Sequence, residues 1–227
     1  MTDKKIAVLI PCYNEALTIA KTIKGFTAYI PEADIYVYDN NSTDGTDDIA
    51  KLTGLCAGIG HCPTQGKGAT VRRMLQEIDA DLYILVDGDA TYDPYDARKM
   101  LGDLEKDNLD MIAGDRSASF KGEKLSHSFG NRLVDALIRR KSKNKSVKDV
   151  MSGLRIFDRS VAEGFAAESI YNGFEIETEL TLWCLKNGKK IASVPISYGK
   201  RPAGSKSKLN TIRDGMKILK LIHRTKL

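Results

Sequence analysis

Short apolar runs alternate with amphipathic segments along the first half of the chain. Strand-like runs occupy residues 6–10, 35–39, 55–60, 82–87 and 110–114. Helical patterns lie between them, near residues 14–29, 45–53, 67–79 and 94–107. Strands and helices that alternate at this spacing are typical of a mostly parallel sheet with helices on both faces. The pattern predicts an α/β fold whose nucleotide-binding half covers about residues 1–115.

The order of the elements changes after Gly114. Residues 115–128 are polar and lack periodicity, so we expect a loop there, followed by a helix over residues 129–148. The remaining patterns predict a strand at 154–157, a helix at 175–187, a strand at 190–198, a basic loop at 199–208 and an amphipathic helix at 209–224. Since no repeat or linker interrupts this pattern, we expect residues 1–227 to form a single domain, with residues 116–227 as its second half.

The composition is ordinary for a soluble globular protein. The 227 residues are 42% hydrophobic and 29% charged, and no apolar window approaches the length of a membrane span. The chain start leads directly into the strand at 6–10, which is too short for the apolar core of a signal peptide. Cys12, Cys56, Cys62 and Cys184 lack CxxC spacing, which favours reduced thiols over a zinc site. We therefore expect a cytosolic protein.

Positive charge is concentrated in the second half of the chain. The formal net charge is +5, and residues 139–148 contain six lysines and arginines and no acid. From Asn187 to the last residue, eleven lysines and arginines stand against Asp214 alone. Such asymmetry indicates an anionic partner, which could be a phosphate compound, a nucleic acid or an acidic membrane surface.

Two carboxylates directly follow one of the apolar strands. The run at 82–86 ends in Asp87-Gly88-Asp89, at the strand end where open α/β sheets bind ligands. Carboxylate oxygens suit hard divalent cations such as Mg²⁺ or Mn²⁺, which in turn hold diphosphates. An Asp-x-Asp pair alone is more often a solvated turn. Polar segments also follow the first three strands, at residues 11–15, 39–46 and 65–69. Adjacent parallel strands end on one edge of a sheet, so we expect one polar site that includes a metal ion.

Together these segments resemble the inverting nucleotide-sugar glycosyltransferases of family two, which have the GT-A fold. Within that family the chain is most similar to the polyprenyl-phosphate sugar synthases, the group that contains dolichyl-phosphate mannose synthase. The resemblance covers nearly the whole chain and implies a hexosyltransferase that uses Mg²⁺ or Mn²⁺. It implies substrate contacts at Pro11, Tyr13, Glu15, Asp39 and Lys67. It also implies metal binding by Asp87 and Asp89, with Asp87 contacting the substrate and Asp89 catalytic.

The resemblance continues into the second half. Segments similar to the family's Gly-Ser-Arg, Gly-Asn-Arg, Asp...Ser-Gly-Phe-Arg and Gly-Phe-Glu motifs lie at residues 114–116, 130–132, 149–155 and 173–175. They imply that Arg116 and Arg132 act on the acceptor as catalytic residues. Arg201 and Lys208 resemble the Arg...Ser-Lys-Leu loop that closes over the diphosphate, which gives both a substrate-binding role. The loop is about one residue longer than usual, so Lys206 is an alternative to Lys208.

Two departures from the family pattern lie close to the predicted site. Thr91 stands where many members have a glutamine that joins the metal ligands. Asp115 stands where serine is usual, and an acid there would weaken the attraction for phosphate.

The type of acceptor is predicted from the missing base. A sugar hydroxyl as acceptor normally needs a carboxylate base. The processive members of the family have one near a Gln-x-x-Arg-Trp motif, and this chain lacks that motif around Trp183. A phosphate monoester is already an anionic nucleophile near neutral pH and needs only cationic positioning, which suits Arg116 and Arg132. We therefore predict transfer of a hexose or N-acetylhexosamine from GDP-mannose, UDP-glucose or UDP-N-acetylglucosamine to dolichyl or undecaprenyl phosphate.

Two other functions stay open at this point. A transferase acting on a sugar hydroxyl would need Asp115, Asp149 or Glu175 as its base. A basic module for nucleic acid or anionic lipid would explain the charge, but motifs and surface aromatics for nucleic acid are scarce, so we expect no such partner.

Membrane association is a further expectation. The predicted helices at 129–148 and 209–224 combine an apolar stripe with lysines and arginines, as interfacial helices do, although packing on the sheet would explain each stripe equally well. We expect a protein that is peripheral on the cytoplasmic face of a membrane.

Overall fold

A mixed β-sheet forms the centre of the molecule. The computed structural model describes residues 4–119, 125–142, 144, 146–205 and 207–227. Within these residues the strands are β1 (Ile6–Cys12), β2 (Ala33–Asp39), β3 (Gly58–His61), β4 (Leu82–Leu85), β5 (Met111–Asp115), β6 (Arg155–Asp158) and β7 (Ile191–Pro195). Their order across the sheet is β3-β2-β1-β4-β6-β5-β7. Strand β6 is antiparallel to both of its neighbours, and the other strand pairs are parallel.

Helices cover both faces of this sheet. The described helices are α1 (Ile19–Tyr29), α2 (Thr46–Leu52), α3 (Lys67–Glu77), α4 (Pro94–Lys106), α5 (Leu125–Ser142), α6 (Arg159–Glu168), α7 (Ile176–Lys186) and α8 (Thr211–Arg224). Apolar side chains of α1, α2 and α4 pack on one face. Those of α3, α5, α6, α7 and α8 pack on the other. The predicted α/β fold, a mostly parallel sheet with helices on both faces, is confirmed.

Strand β1 shows why the sheet is stable. All of its residues are buried, because the strand lies inside the sheet and both faces are covered. Ala7 and Leu9 belong to one apolar core, whereas Val8 and Ile10 belong to the other, as the alternation of side chains along a strand requires. Burying a side chain of the size of Leu9 contributes about 1.5–3 kcal/mol.

Several predicted boundaries are wrong for identifiable reasons. The first helix begins at Ile19 rather than at residue 14, because Asn14 adopts the left-handed backbone region with φ 53°. The third strand covers only residues 58–61. The last strand ends at Pro195, which has no amide hydrogen to donate, and Tyr198 makes an isolated bridge to Tyr92 instead.

Two larger differences concern the second half. The predicted loop at 115–128 is wrong at its end, since α5 already begins at Leu125; residues 120–124 lie outside the described part. Helix α6 was not predicted at all, although Asp158 caps it by accepting a hydrogen bond from the Val161 amide at 2.9 Å. In the described part of the chain, no helix is both long enough and apolar enough to cross a bilayer.

The antiparallel insertion of β6 shapes the region around the predicted site. Strand β6 pairs with β4 and places Arg155 opposite Leu85, close to the end of that strand. The turn that leads into β6, residues 149–154, therefore lies beside Asp87. Strand β5 pairs with β6 on the other side, and Arg116 follows it directly.

Candidate active site

Three strand ends bring the predicted acidic residues to one edge of the sheet. Strand β1 lies between β2 and β4, and Cys12 at its end faces Asp39 at the end of β2. The Val86 amide still donates to the Leu9 carbonyl at 3.0 Å, so the pairing with β4 continues to the residue before Asp87. Because these strands are parallel, the acids that follow them share one side of the molecule.

The Asp87 carboxylate lies between Lys67 and the backbone at Gly153. Its carboxylate accepts a hydrogen bond from the Lys67 ammonium at the start of α3, and the same ammonium pairs with Glu177 of α7. A Cβ atom at Gly153 would lie 2.4 Å from Asp87 Oδ2, so any other residue there would displace the carboxylate. Burial alone would raise the pKa of Asp87, but the charges of Lys67 and Arg116 lower it below the usual value. Asp87 is therefore a stable carboxylate.

Asp89 is more deeply buried than Asp87 and has different partners. Its Oδ1 accepts hydrogen bonds from the Thr91 hydroxyl at 2.6 Å and the Thr91 amide at 3.1 Å. Its Oδ2 lies 2.5 Å from Nη2 of Arg201. Burial and the neighbouring Asp87 raise the pKa of Asp89, and Arg201 and Thr91 oppose that rise. Thr91, in the place of the usual glutamine, thus orients this carboxylate through two hydrogen bonds.

Glu15 connects the β1 end to the basic loop at 199–208. Its Oε1 lies 2.6 Å from Lys208 Nζ and 3.6 Å from Nη1 of Arg201, and the Thr18 hydroxyl donates to Oε2 at 3.2 Å. Burial raises the pKa of Glu15, although both cations oppose this. Lys208 is therefore in contact with the site, while its alternative, Lys206, lies outside the described residues. The predicted nucleoside contact of Glu15 stays a prediction.

The other residues of the predicted nucleoside site lie at the same edge. Asp39 is buried, its Oδ2 accepts from the Ser42 amide at 2.9 Å, and His61 Nδ1 lies 3.9 Å from that oxygen. Pro11 is buried within β1, whereas the Tyr13 side chain just beyond the strand is 37% exposed. An aromatic ring in this position is accessible to a ligand.

Arg116 is fixed by a bidentate ion pair. Its Nε and Nη2 donate to the two carboxylate oxygens of Asp149 at 2.7 and 2.8 Å, and its backbone amide donates to the same carboxylate at 2.9 Å. Nη1 lies 3.3 Å from the Tyr92 hydroxyl, and the guanidinium stacks 5.1 Å from the centre of the Tyr198 ring. Burial opposes its charge, but Tyr92 and Asp149 raise the pKa of Arg116 well above the usual value.

Helix α5 holds the turn that carries Asp149, the partner of Arg116. The Asp135 carboxylate accepts hydrogen bonds from the backbone amides of Asp149 and Val150 at 2.9 and 3.1 Å. Arg132, one turn away on the same helix, has an exposed side chain. The predicted role of Arg132 on the acceptor stays a prediction, while Asp135, which sequence analysis missed, is in bonded contact with the Arg116 region.

The three carboxylates that were candidates for a catalytic base differ in their hydrogen-bond and ion-pair partners. Asp115 accepts a hydrogen bond from the Ser117 amide at 2.9 Å, and Asp149 is the partner of Arg116. Glu175 is buried, and its Oε2 has no hydrogen-bond partner among the described residues. Lys217 Nζ of α8 lies 3.9 Å from Glu175 Oε1. Glu175 is therefore the member of this set whose carboxylate is least engaged.

The donor set suits a divalent ion that the substrate helps to bind. The described residues contain no group of three or more His, Cys, Asp or Glu side chains that could hold a metal ion. Magnesium bound with a phosphate ligand is typically held by one or two carboxylates, phosphate oxygens and water. Asp87 and Asp89 supply that number of carboxylates, and each already accepts a cationic side chain. The residues therefore fit Mg²⁺ or Mn²⁺.

Comparison with known proteins decides the family. The model of the family described as Glycosyl transferase family 2 matches residues 7–165, which include the acid pair Asp87 and Asp89. The chain belongs to glycosyl transferase family 2. As the resemblance of the motifs implied, it is a transferase, and the interpretation as a non-catalytic basic module loses its support.

Two curated relatives align with most of this chain. Glycosyltransferase AglJ of Haloferax volcanii is 36% identical over 229 residues, which cover 94% of this chain and 69% of that protein. Undecaprenyl-phosphate mannosyltransferase of Micrococcus luteus is 23% identical over 211 residues, which cover 88% of this chain and 86% of that protein.

A solved structure shows the same fold. Glucosyl-3-phosphoglycerate synthase of Mycobacterium tuberculosis, crystallised with Mn²⁺, UDP-glucose and phosphoglyceric acid, superposes with a TM-score of 0.79 at 20% identity. The match covers 98% of this chain and 80% of that protein. The GT-A fold expected from the motifs is thereby confirmed.

Besides Asp135, the sequence motifs do not identify Glu177, which lies close to Asp87. The motifs give Glu177 no role, yet its carboxylate and that of Asp87 pair with the same Lys67 ammonium. Helix α7 is buried along nearly its whole length, and a carboxylate inside such a helix needs a cation or hydrogen-bond donors from another element. An acid within such an apolar helix is therefore the sequence feature that could have identified Glu177.

Proposed function

We propose that this family 2 enzyme transfers a hexose or an N-acetylhexosamine from a nucleoside diphosphate sugar to a polyprenyl phosphate, with inversion at the anomeric carbon. The observation that carries the proposal is the set of four cations in ion pairs with the carboxylates of the site: Lys67, Arg116, Arg201 and Lys208. A site with this many cations around two strand-end aspartates suits two anionic reactants. A departing diphosphate and an acceptor phosphate meet that description.

On the donor side, Arg201 and Lys208 are the residues suited to hold the diphosphate. Both belong to one loop, and their present partners, Asp89 and Glu15, are carboxylates at the edge where the donor would lie. Asp87 and Asp89 would hold Mg²⁺ or Mn²⁺, which when bound supplies positive charge to the departing diphosphate. Fixed cations aimed at that developing charge lower the barrier for its departure.

On the acceptor side, the chemistry needs orientation rather than deprotonation. An oxygen of the acceptor phosphate forms a bond to the anomeric carbon while the bond from that carbon to the diphosphate oxygen breaks. The electron pair of the broken bond remains on the diphosphate, and attack from the opposite side inverts the configuration. Arg116, held rigidly by Asp149, is suited to orient the phosphate. Asp115 and Asp149 are both engaged, which fits a reaction without a base.

The relatives support the same acceptor class. The Micrococcus luteus protein carries the name of an undecaprenyl-phosphate mannosyltransferase. A lipid phosphate also agrees with the positive charge of the second half of this chain.

The test uses the full chain with three radiolabelled donors: GDP-mannose, UDP-glucose and UDP-N-acetylglucosamine. Each is incubated with Mn²⁺ and undecaprenyl phosphate in detergent, and transfer is measured as label extracted into organic solvent. We expect transfer from one donor, loss of at least about a hundredfold in Asp89→Asn, and normal transfer in Asp48→Asn, an exposed acid on α2. A folded protein that binds a nucleotide sugar but labels no lipid phosphate would overturn the proposed acceptor.

A second candidate function rests on Glu175. Its buried Oε2 without a hydrogen-bond partner among the described residues is what a base for a sugar hydroxyl would offer. In that case labelled sugar would appear on a saccharide acceptor rather than on a lipid phosphate. Glu175→Gln would then lose transfer, whereas the phosphate mechanism predicts that this variant keeps most of its rate.

A further inference from the structure

Helix α8 presents three different sectors around its axis. Its buried sector faces the apolar core and contains Ile218, Leu221 and Ile222. At about 100° per residue, a second sector is exposed and apolar, formed by Ile212, Met216 and Leu219. The third sector is exposed and basic, and it lies beside the second: Arg213, Lys217, Lys220 and Arg224. Packing on the sheet explains only the first sector.

Helix α5 also carries exposed apolar side chains. Val134 and Ile138 are buried against the core, whereas Leu133 and Leu137 on another side of the helix are 42% and 38% exposed. Helices α5 and α8 pack against each other. Lys141 at the end of α5 fastens the end of α8 by donating to the carbonyl oxygens of Ile222 and His223 at 2.6 and 3.3 Å.

The two packed helices carry five exposed apolar side chains, which we call the apolar face: Leu133, Leu137, Ile212, Met216 and Leu219. Single exposed apolar residues are normal on a protein surface, but a group of them with a polar border marks an interaction site. On α8, Ile212 and Met216 are 75% and 62% exposed, which is more than half of each side chain. We therefore expect the apolar face to bind another molecule or a membrane.

Charge identifies that occupant. The border of the apolar face on α8 is basic. The buried acid of that helix, Asp214, lies 3.5 Å from Arg213 and 3.8 Å from Lys217, whereas Lys220 and Arg224 have no acid within ion-pair distance among the described residues. A second copy of this chain would bring two such basic borders together, which Coulomb repulsion disfavours. An anionic bilayer offers an apolar interior for the face and negative head groups for its border.

We propose that the apolar face, with the basic sector of α8 as its border, is the surface by which this protein docks on an anionic membrane. The proposal deepens the proposed function and rests on it for the origin of the acceptor. The side of α5 away from the face carries Asp135, which is bonded to the turn that holds Arg116 through Asp149. Docking would therefore link the bilayer, through α5 and these hydrogen bonds, to the arginine suited to orient a lipid phosphate.

The test measures binding of the full chain to sedimenting vesicles, without donor or acceptor. Vesicles of phosphatidylglycerol and phosphatidylcholine are compared with vesicles of phosphatidylcholine alone. We expect binding to the anionic vesicles that weakens with salt. The triple variant Ile212→Ser, Met216→Ser, Leu219→Ser should bind at least about tenfold more weakly. The double variant Lys220→Gln, Arg224→Gln should lose about fivefold per charge.

The matched control is Leu52→Ser, which removes an 85% exposed leucine from α2, outside the apolar face. It should bind vesicles as the unmodified chain does, and equal melting temperatures verify that all variants are folded. Binding that is absent, or unchanged in the triple variant, would overturn the docking surface. So would a dimer in solution that the triple variant converts to a monomer.

Transfer to undecaprenyl phosphate in detergent separates this proposal from the proposed function. The triple variant should retain that transfer, because detergent replaces the bilayer. Vesicle binding without any transfer to lipid phosphate would keep the surface and refute the acceptor. Transfer in detergent without vesicle binding would support the proposed acceptor and refute the docking surface.

Discussion

The Lys208 ammonium lies 2.6 Å from the Glu15 carboxylate and 2.7 Å from the Asn14 carbonyl oxygen. This contact fastens the loop at 199–208 to the segment between β1 and α1, 193 residues earlier in the chain. Arg201 provides a second attachment of the same loop at Asp89. Both cations suited to bind a diphosphate are thus bound to carboxylates of the site and must exchange partners when a donor enters.

Replacing Glu15 with glutamine should loosen this loop. The neutral amide removes the charge from the hydrogen bond with Lys208, and charge-assisted hydrogen bonds are about twice as strong as neutral ones. We expect faster amide hydrogen exchange over residues 199–208, measured by mass spectrometry on the chain without donor. In Asp47→Asn, which breaks the exposed pair with Lys51, exchange in this loop should be unchanged. Equal protection of the loop in both variants would show that Glu15 does not hold it.

Replacing Lys67 with methionine should destabilise the fold. The substitution leaves the Asp87 and Glu177 carboxylates side by side without the ammonium that lies between them. Removing one partner of a buried ion pair costs about 3–5 kcal/mol. Urea unfolding followed by the fluorescence of Trp183 measures the free energy of unfolding.

Two further variants make the effect of Lys67 specific. Adding Glu177→Gln to Lys67→Met should recover part of the loss, because one of the two facing charges is gone. Arg73→Met breaks the exposed pair with Glu77 and should cost less than about 1 kcal/mol. Equal free energies of unfolding for Lys67→Met and Arg73→Met would show that Lys67 is not needed to balance the Asp87 and Glu177 charges.

The first half of the fold was predictable because its signals are local. A strand that ends in polar residues, such as β4 before Asp87, is visible in the sequence without knowledge of its neighbours. Strand β6 was predicted as a strand, but its antiparallel place between β4 and β5 depends on packing between distant segments. No local pattern contains that information.

In the candidate site, too, the residues that follow strands of the first half were predictable from local patterns. Asp87, Asp89 and Lys67 follow strands of the first half, and the structure brings them together as expected. Glu177 and Asp135 were missed because each acts through a partner more than ten positions away, Lys67 in one case and the Asp149 amide in the other. Such contacts arise from the way α5 and α7 pack on the sheet.

Asp135 should act as a positioning residue for Arg116. Its two oxygens accept from the amides of Asp149 and Val150, and the single oxygen of asparagine satisfies only one of them. The turn should shift, and the Asp149–Arg116 pair with it. We expect Asp135→Asn to raise KM for the acceptor several-fold while KM for the donor stays within about twofold.

The matched control for Asp135 is Asp103→Asn on α4. It should change neither KM value. If Asp135→Asn raised both KM values equally, a general loss of structure would explain the result, and the positioning role would be wrong.

Glu179 should make stability depend on pH in a defined direction. Its carboxylate accepts from the Ser169 hydroxyl at 2.8 Å and the Ile170 amide at 3.0 Å, but burial dominates and raises the pKa of Glu179 above its usual 4.5. Between 4.5 and the raised pKa, the folded chain binds a proton that the unfolded chain lacks. The contribution of Glu179 to the free energy of unfolding therefore falls as the pH rises through this window, by up to about 1.4 kcal/mol per pH unit.

Glu179→Gln removes that titration while its amide can still bond to Ser169 and Ile170. The free energy of unfolding of the variant relative to the unmodified chain should therefore increase as the pH rises from about 4 to about 7. Urea unfolding at several pH values measures this difference. Glu168→Gln, an exposed acid at the end of α6, should give a nearly constant difference over the same range, because no buried charge is removed. A constant difference for Glu179→Gln as well would mean that Glu179 titrates alike in the folded and unfolded chains.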